Sequence, residues 1–599
     1  MAINRTKLFL TALGLIFSLF LADTASAENK TFIKEDSYMA NGIDSKVSSR
    51  AIALEQVKRA LLEQLGTYLI SETEVKNCQL TNDQITTLTA GIVSVEVIDE
   101  KWDGRTYYLR AKITADQEEV AKSVEALRND VQKTKELEES KKKAKEAMKK
   151  VERLKKELEL VKGDTRKQDE YASAIQDLRA QDWFDKGYVF HQSNNLRDAI
   201  DAYTKSIELN PKDALAFYTR GHAYAELEDY RQALNDYNKA LELNPKYAWA
   251  YNNRGHAYDA LGNHQEAIND YNKAIELNPK DTMAYYMYYN RGVAYNALGN
   301  HQEAINNYNK ALELNPKYAW AYYYRGFAYA ALENYQQALN DFNKTIELNS
   351  KLVDAYLGRG AVDLALGNYQ MAINDYSKAI KLNPKHAEAC KWRGIAYEKL
   401  GNHQQALNDY SKAIYLNPHF AEAYYNRGDT YHDIGNHRMA ITDYTKAIEL
   451  NPRNTNAYMN RGNSYDKLGK YQQAINDYNK AIELNSNNAW IYAVRGVVHS
   501  RLGNHLQAIT DFNKAIERNL KDWKVYYNRG SAYQILGDNS RAIADFNKAG
   551  ELYPKNLDVP YYMACLYSID ADGNEACKWL RISVDNGYNN WKHLKEEND

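Results

Sequence analysis

This sequence is short of proline, of cysteine and of net charge. Its 599 residues include nine prolines and four cysteines, and the formal charge is −2. Charges of both signs are interspersed, which excludes the basic footprint of a nucleic-acid binder. Long apolar runs are also missing. The one stretch of that kind, Leu8 to Ala22, has fifteen residues, short of the roughly 20 that cross a bilayer as a helix. No stable membrane span is expected. The sequence shows no zinc spacing, no phosphate loop and no nucleophile elbow. Carboxylates abound without any pair standing apart. Catalytic residues, a metal and a cofactor are accordingly not expected, and the chain does not read as an enzyme.

Tyrosine is the excess, at 50 residues, and its spacing explains it. Ala248 to Asp281 reads AWAYNNRGHAYDALGNHQEAINDYNKAIELNPKD, and variants of these 34 residues fill the chain from about 180 to 590. The glycine at 255 returns at 187, 221, 292, 326, 360, 394, 428, 462, 496 and 530, with Ala564 in a twelfth copy. Such a period means stacked units, each burying a thin seam, and not one globular core. Within the quoted copy Trp249–Leu261 reads as helix A, Gly262-Asn263 as the turn and His264–Leu277 as helix B. Pro279 stops helix B, because proline disfavours helical geometry at the residue before it. Eight of the nine prolines occupy this slot. A glycine inside helix A costs about 1 kcal/mol against alanine, so its return implies close backbone approach. Ala267, recurring in all twelve copies from Ala199 to Ala576, faces it from helix B.

Gly255, Tyr258, Ala267, Tyr271, Ala274 and Pro279 stand where the tetratricopeptide repeat has its small, aromatic, alanine and proline hallmarks, and the array resembles that family over two-thirds of the chain. The resemblance implies a mainly α fold, a right-handed α-solenoid of about twelve helix-turn-helix repeats over 180–590. Asp363 and His499 replace an aromatic, and Ser350, Ser486 and Leu520 replace proline, so those joints are expected to be looser or re-angled. In this family helix A lines a concave face that takes a protein or peptide. Carried onto this chain, the groove would be formed by Trp249, Asn252, Asn253, Tyr286, Tyr289, Asn290, Trp320, Tyr323 and Phe327. Farther on the same slots turn charged, as at Asp354, Glu388, Lys391, Glu398, Glu422, Asp429 and Asp466. Tyr285–Tyr289 holds a three-residue insertion, which either projects helix A by nearly one turn or forms a loop.

The chain before the array does not repeat. Arg5 and Lys7, the apolar run and Ala25-Ser26-Ala27 make residues 1–27 a secretory leader cleaved after Ala27. No lipoprotein cysteine follows the run. An exported, periplasmic protein is expected. Over 28–119 the apolar spacing from Ser48 to Leu65 predicts an amphipathic helix ended by Gly66. Alternation over 92–98 and 106–114 around Asp103-Gly104 predicts a hairpin, hence a small α+β domain. The run DGRTYYLRAKITADQEEV resembles the end of the N-terminal αβ domain of flagellar assembly T-type periplasmic proteins, which implies an envelope-associated binding module. A folding cap for the array stands beside that reading. Residues 120–163 predict a long charged helix, either a solvated spacer or a short coiled coil that self-associates through 137–161. The residues 591–599 form a polar tail.

Three further patterns concern support more than chemistry. Arginine precedes the repeat glycine in ten copies, and aspartate recurs fifteen residues after that glycine, with Asn307 the exception. Arg–Asp contacts between neighbouring helices are expected, worth about 0–1 kcal/mol each if exposed. Histidine opens helix B at His264, His301, His403, His437 and His505, a full repeat apart and therefore unable to share a metal. Cys565 and Cys577 in the last repeat could join in a disulfide. Together these features predict an exported interaction scaffold that binds a protein or peptide. The alternative is a protein that binds envelope polysaccharide or helps export it.

Overall fold

The computed structural model describes residues 30–41, 43–71, 82–116, 120, 122–123, 131–160, 164–278, 284–554, 558–569 and 572–585. The leader expected over 1–27, Cys78 and the tail 591–599 lie outside these residues. Two compact units divide the chain, residues 1–328 and 329–599.

The first unit opens with a three-stranded antiparallel sheet in the order β1-β3-β2, formed by β1 (Lys30–Met39), β2 (Glu96–Trp102) and β3 (Thr106–Ala115). The predicted hairpin is present. Gly104 takes φ +97°, and the Asp103 carboxylate accepts the backbone N–H groups of Arg105 and Thr106. Strand β1 escaped the periodicity because Phe32 is its one buried residue. Alternate residues of β3, from Tyr107 to Ala115, are buried under helix α1 (Lys46–Ser71). That helix runs straight through Gly66, contrary to expectation. Val57, Leu61 and Leu65 form an apolar stripe that Leu69 continues beyond the glycine, and packing outweighs the roughly 1 kcal/mol propensity cost. Helix α2 (Asn82–Ala90) completes the small domain.

Helix α3 (Val131–Leu160) is no solvated spacer. It packs on α4 (Thr165–Gln192), and Met148, Val151, Leu154 and Leu158 share a core with Ile52, Tyr171, Ile175 and Leu178. Its seam at Leu137, Ser140, Ala144 and Leu154 is buried inside the chain, so the apolar face that self-association through 137–161 would need is already covered. Asp44 pins this pair to the sheet, accepting Tyr38 Oη at 3.0 Å and the Tyr171 hydroxyl and pairing with Lys155 Nζ at 3.1 Å. Helix α4 is at once the second arm of this hairpin and helix A of the first repeat. One hydrophobic core consequently runs from Phe32 and Leu109 through Phe184 and Tyr203 to Trp249 and Met287.

Repeats follow as helix pairs: α5 (Leu196–Leu209) against α4, α6 (Ala214–Glu226) with α7 (Tyr230–Leu243), α8 (Ala248–Ala260) with α9 (His264–Leu277), then α10 (Ala284–Ala297) with α11 (His301–Leu314), and α12 (Ala319–Ala331). The second unit continues the alternation from α13 (Tyr335–Leu348) to the last pair, Asp558–Ile569 and Gly573–Asp585. Helix α10 is described over 14 residues where α8 has 13, and residues 279–283, on which the choice between a projecting helix A and a loop turns, lie outside the described ones.

The repeat glycine is there for contact. A Cβ on Gly255 would meet Tyr271 Cε1 at 2.9 Å, and one on Gly394 would meet Tyr410 Cε1 at 2.7 Å. The predicted Arg–Asp pairs form, and they are not surface decoration. Arg254 Nε and Nη2 donate to the two Asp270 oxygens at 2.7 Å, while Nη1 donates to Asn238 Oδ1 of the preceding repeat at 2.7 Å. Arg220, Arg359, Arg393, Arg427, Arg461, Arg495 and Arg529 make the same fork on their own aspartates. Each reaches back to Asn, Ser or Thr of the previous helix B. The Asp443 side chain is only 3% exposed, so the surface figure of about 0–1 kcal/mol understates the contact.

Asp409→Ala, which leaves the Arg393 guanidinium half-buried without its carboxylate, is expected to cost about 3 kcal/mol. Asp409→Asn should cost about 1 kcal/mol, and Asn307→Asp should gain a similar amount. Urea midpoints and amide exchange in residues 403–416 and 301–314 would test the order.

Candidate functional site

The helix-A residues expected to form one groove separate into three environments. Trp249, Asn252 and Asn290 are buried, so the expectation that they face a ligand fails. They sit at the joints between repeats. Asn290 Nδ2 donates to Asn252 Oδ1 at 3.1 Å, Asn252 Nδ2 to Asn253 Oδ1 at 3.0 Å, and Asn253 Nδ2 to Tyr218 Oη at 2.9 Å. This amide ladder crosses three repeats and uses asparagines that were expected to line the groove.

Aromatic residues of α10 and α12 form the second environment. Tyr286 and Tyr289 have ring centroids 6.1 Å apart, and Tyr289 meets Tyr318 and Tyr324 edge-on at 5.1 and 5.7 Å. Trp320 meets Tyr323 at 5.6 Å and 89°, and Tyr323 meets Phe327 at 4.8 Å and 74°. Trp320 and Phe327 remain 39% and 38% exposed. Burial pushes the phenols of Tyr286, Tyr289 and Tyr318 up, so they stay neutral hydroxyls at physiological pH. The patch offers apolar area with neutral polar tips, a composition enriched at binding hot spots.

In the second unit the charged slots are paired from repeat to repeat. Lys391, buried, bridges Glu388 at 2.8 Å and Glu422 at 2.7 Å. Glu398 accepts Tyr410 Oη and Thr430 Oγ1, both at 3.0 Å. Asp429 accepts Tyr444 Oη at 2.5 Å and Asn460 Nδ2 at 2.8 Å, and Asp466 pairs with Arg501. Variation at these positions therefore encodes joints between repeats as much as a ligand surface.

Sequence reasoning missed a cleft of about 550 Å³ between α1, α2, α3 and α4. Lys58 pairs with Asp185, which also accepts Ser140 Oγ and Gln181 Nε2, both at 2.9 Å. Lys141 Nζ donates to Thr87 Oγ1 at 2.8 Å. Burial pushes the Glu55 carboxyl up, against the pull of Lys58 and with the push of Asp185. Ser140 spends its proton on Asp185 and accepts from Gln181, and among the described residues the lining contains no histidine to act as its base. The set holds helices together and is not arranged as an activated nucleophile. No signal in the sequence marks it, because α2 was not predicted and α3 was expected as a solvated spacer or a coiled coil between chains.

The histidines that open helix B act locally. His264 Nδ1 lies 2.6 Å from Asp259 Oδ1 and His301 Nδ1 lies 2.7 Å from Asn296 Oδ1. A different group converges, His191 with His222 and Glu226. Its signal was legible in principle: two histidines at groove slots of consecutive repeats, with a carboxylate one turn on. The disulfide suggested for Cys565 and Cys577 does not form. Cys577 carries a free, exposed thiol, because a residue one step past the facing alanine turns about 100° away from the seam.

Models of the tetratricopeptide repeat match residues 187–281, 292–352, 360–488, 491–522 and 523–556. Among solved structures, MamA is 28% identical over 26% of this chain and 93% of its own, with a TM-score of 0.26. YrrB, a tetratricopeptide repeat protein with an unusual peptide-binding site, is 24% identical over 31% of this chain and 95% of its own, with a TM-score of 0.27. A tetratricopeptide repeat protein from Parabacteroides merdae is 24% identical over 42% and 98%, with a TM-score of 0.35. No curated protein matches the chain.

Glu55 yields a pH prediction. A carboxyl whose folded pKa lies above its unfolded value binds its proton more tightly in the folded state. Its penalty is absent below the ordinary value of 4.5 and grows as pH rises through the folded pKa. Glu55→Gln is expected to raise the melting temperature at pH 7 and to leave it unchanged near pH 4. Thermal melts at the two values would check it.

Proposed function

Because the chain belongs to the tetratricopeptide repeat family, we propose that it is a non-enzymatic scaffold that holds an extended segment of a partner protein on the aromatic faces of α10 and α12. The observation that carries this reading is the exposed pair Trp320 and Phe327, set in a network of rings that fixes their orientation. Rings held by their neighbours lose little entropy on binding, which is what makes aromatic anchors effective.

Polysaccharide binding, the other reading of an aromatic surface, needs free ring faces on which sugars stack. Here rings meet edge to face, Trp320 against Tyr323 and Tyr323 against Phe327, so part of each face is already occupied. Apolar peptide side chains fit between such rings better than flat sugar faces do. The basic start, apolar run and small-residue site of residues 1–27 support a place outside the cytoplasm. N-terminal sequencing of the protein from an envelope fraction should then begin at Glu28.

Selection of a random peptide library on the full chain, with a glycan array in parallel, tests the site. Enriched peptides should bind at least about 30-fold more weakly to a Trp320→Ala, Phe327→Ala variant, the size of a hot-spot loss. A Trp392→Ala variant in the second unit should bind them unchanged, with circular dichroism the same for all three proteins. Enrichment of glycans, or peptides whose binding ignores the double substitution, would sink the proposal.

A further inference from the structure

The first two repeats bring together three side chains that the scaffold role leaves without a task. His191 lies at the end of α4, and His222 and Glu226 lie one turn apart on α6. His191 Nε2 is 2.9 Å from Glu226 Oε2, and His222 Nε2 is 3.8 Å from Glu226 Oε1. All three donor atoms fall within 4.8 Å of one another. We propose that His191, His222 and Glu226 form a binding site for a borderline divalent transition-metal ion such as Zn²⁺, with water completing the coordination.

Geometry and chemistry both support the assignment. Tetrahedral coordination at bond lengths of about 2.0–2.2 Å separates ligand atoms by about 3.4 Å. The two separations given above bracket that value and the third pair lies within 4.8 Å, a range that side-chain rotations can close. His222 and Glu226 are spaced i and i+4, which fixes both on one face of a single helix. The His191 side chain is 5% exposed, held against the Tyr203 ring at 6.3 Å. Two imidazoles and one carboxylate suit Zn²⁺, Ni²⁺ or Cu²⁺, whereas Mg²⁺ and Ca²⁺ demand oxygen ligands in larger number. Three protein ligands with one open position is an arrangement that zinc accepts.

One group opposes the ion. Lys133 of α3 reaches the same end of α4, where its ammonium donates to Gln192 Oε1 at 3.4 Å. A cation there repels a dication, so this lysine should set how tightly the metal is held. The site is independent of the peptide reading, since it uses no residue of the aromatic surface.

The test uses the full chain, purified without a polyhistidine tag and stripped with a chelator. Titration with CoCl₂ should give one tight equivalent with the intense visible absorption of a four-coordinate ion, displaced by ZnCl₂. His222→Gln and Glu226→Gln should each weaken binding by more than about 100-fold, since even loss of an outer-shell partner costs about 10–100-fold. Lys133→Gln should tighten it, and His264→Gln with His403→Gln should leave it unchanged. Circular dichroism must match in every variant. If His222→Gln misfolds, Glu226→Gln carries the test, because that side chain is 38% exposed. No tight equivalent, or one that survives Glu226→Gln in a folded protein, would mean that the three residues only tie two helices together, and the proposal fails.

Discussion

Most repeats are held to themselves and to their predecessors by a single guanidinium. The fork on Asp270 closes helix A of its own repeat onto helix B, and the remaining N–H of Arg254 reaches Asn238 one repeat back. Only a planar group with donors in fixed directions does both at once; a lysine would supply a point charge and lose the geometry. The aspartates are almost fully buried, so neither partner of a clamp can be removed without stranding the other. Beside each clamp the missing Cβ of the glycine lets helix A settle onto an aromatic ring of helix B. Clamp and close approach occupy adjacent residues, which fixes the angle of each hairpin that carries both.

That constraint decides which side chains are left over for a ligand. Stacking repeats through thin seams leaves polar groups at every joint, and buried polar groups must be hydrogen-bonded. Asn252, Asn253 and Asn290 answer that demand in the first unit, and Lys391, Glu398 and Asp429 answer it in the second. Positions that vary from copy to copy are therefore not all recognition residues. What remains on α10 and α12 is aromatic, and burial keeps the hydroxyls of Tyr286 and Tyr289 neutral.

The N-terminal domain is built into the array. Helix α4 runs through Tyr171, which packs under α3, to Gly187, which packs on Tyr203 of the first repeat. The sheet, the α3–α4 hairpin and the first repeats, as far as Met287 of the fourth, consequently share one core. An exposed first repeat would show an apolar face to water, and terminal repeats need a cover. The small domain packs over it.

The array was legible because its determinants are local and repeated: a glycine, an alanine, an aromatic and a proline at fixed offsets, each with one physical reason to be there. The Arg–Asp pairs were legible for the same reason, and only their burial and their third contact were not. The polar strand β1, the continuation of α1 past Gly66 and the burial of α3 were decided by packing between segments far apart in sequence, which no local period reports. So was the division of the groove positions. Trp249 and Trp320 occupy the same slot of the repeat, yet Trp249 is 7% exposed and Trp320 is 39% exposed. By itself the sequence determined that helices pair and stack. Tertiary structure alone decided which of their faces remain in water, because exposure depends on what the next repeat and the N-terminal domain lay against them.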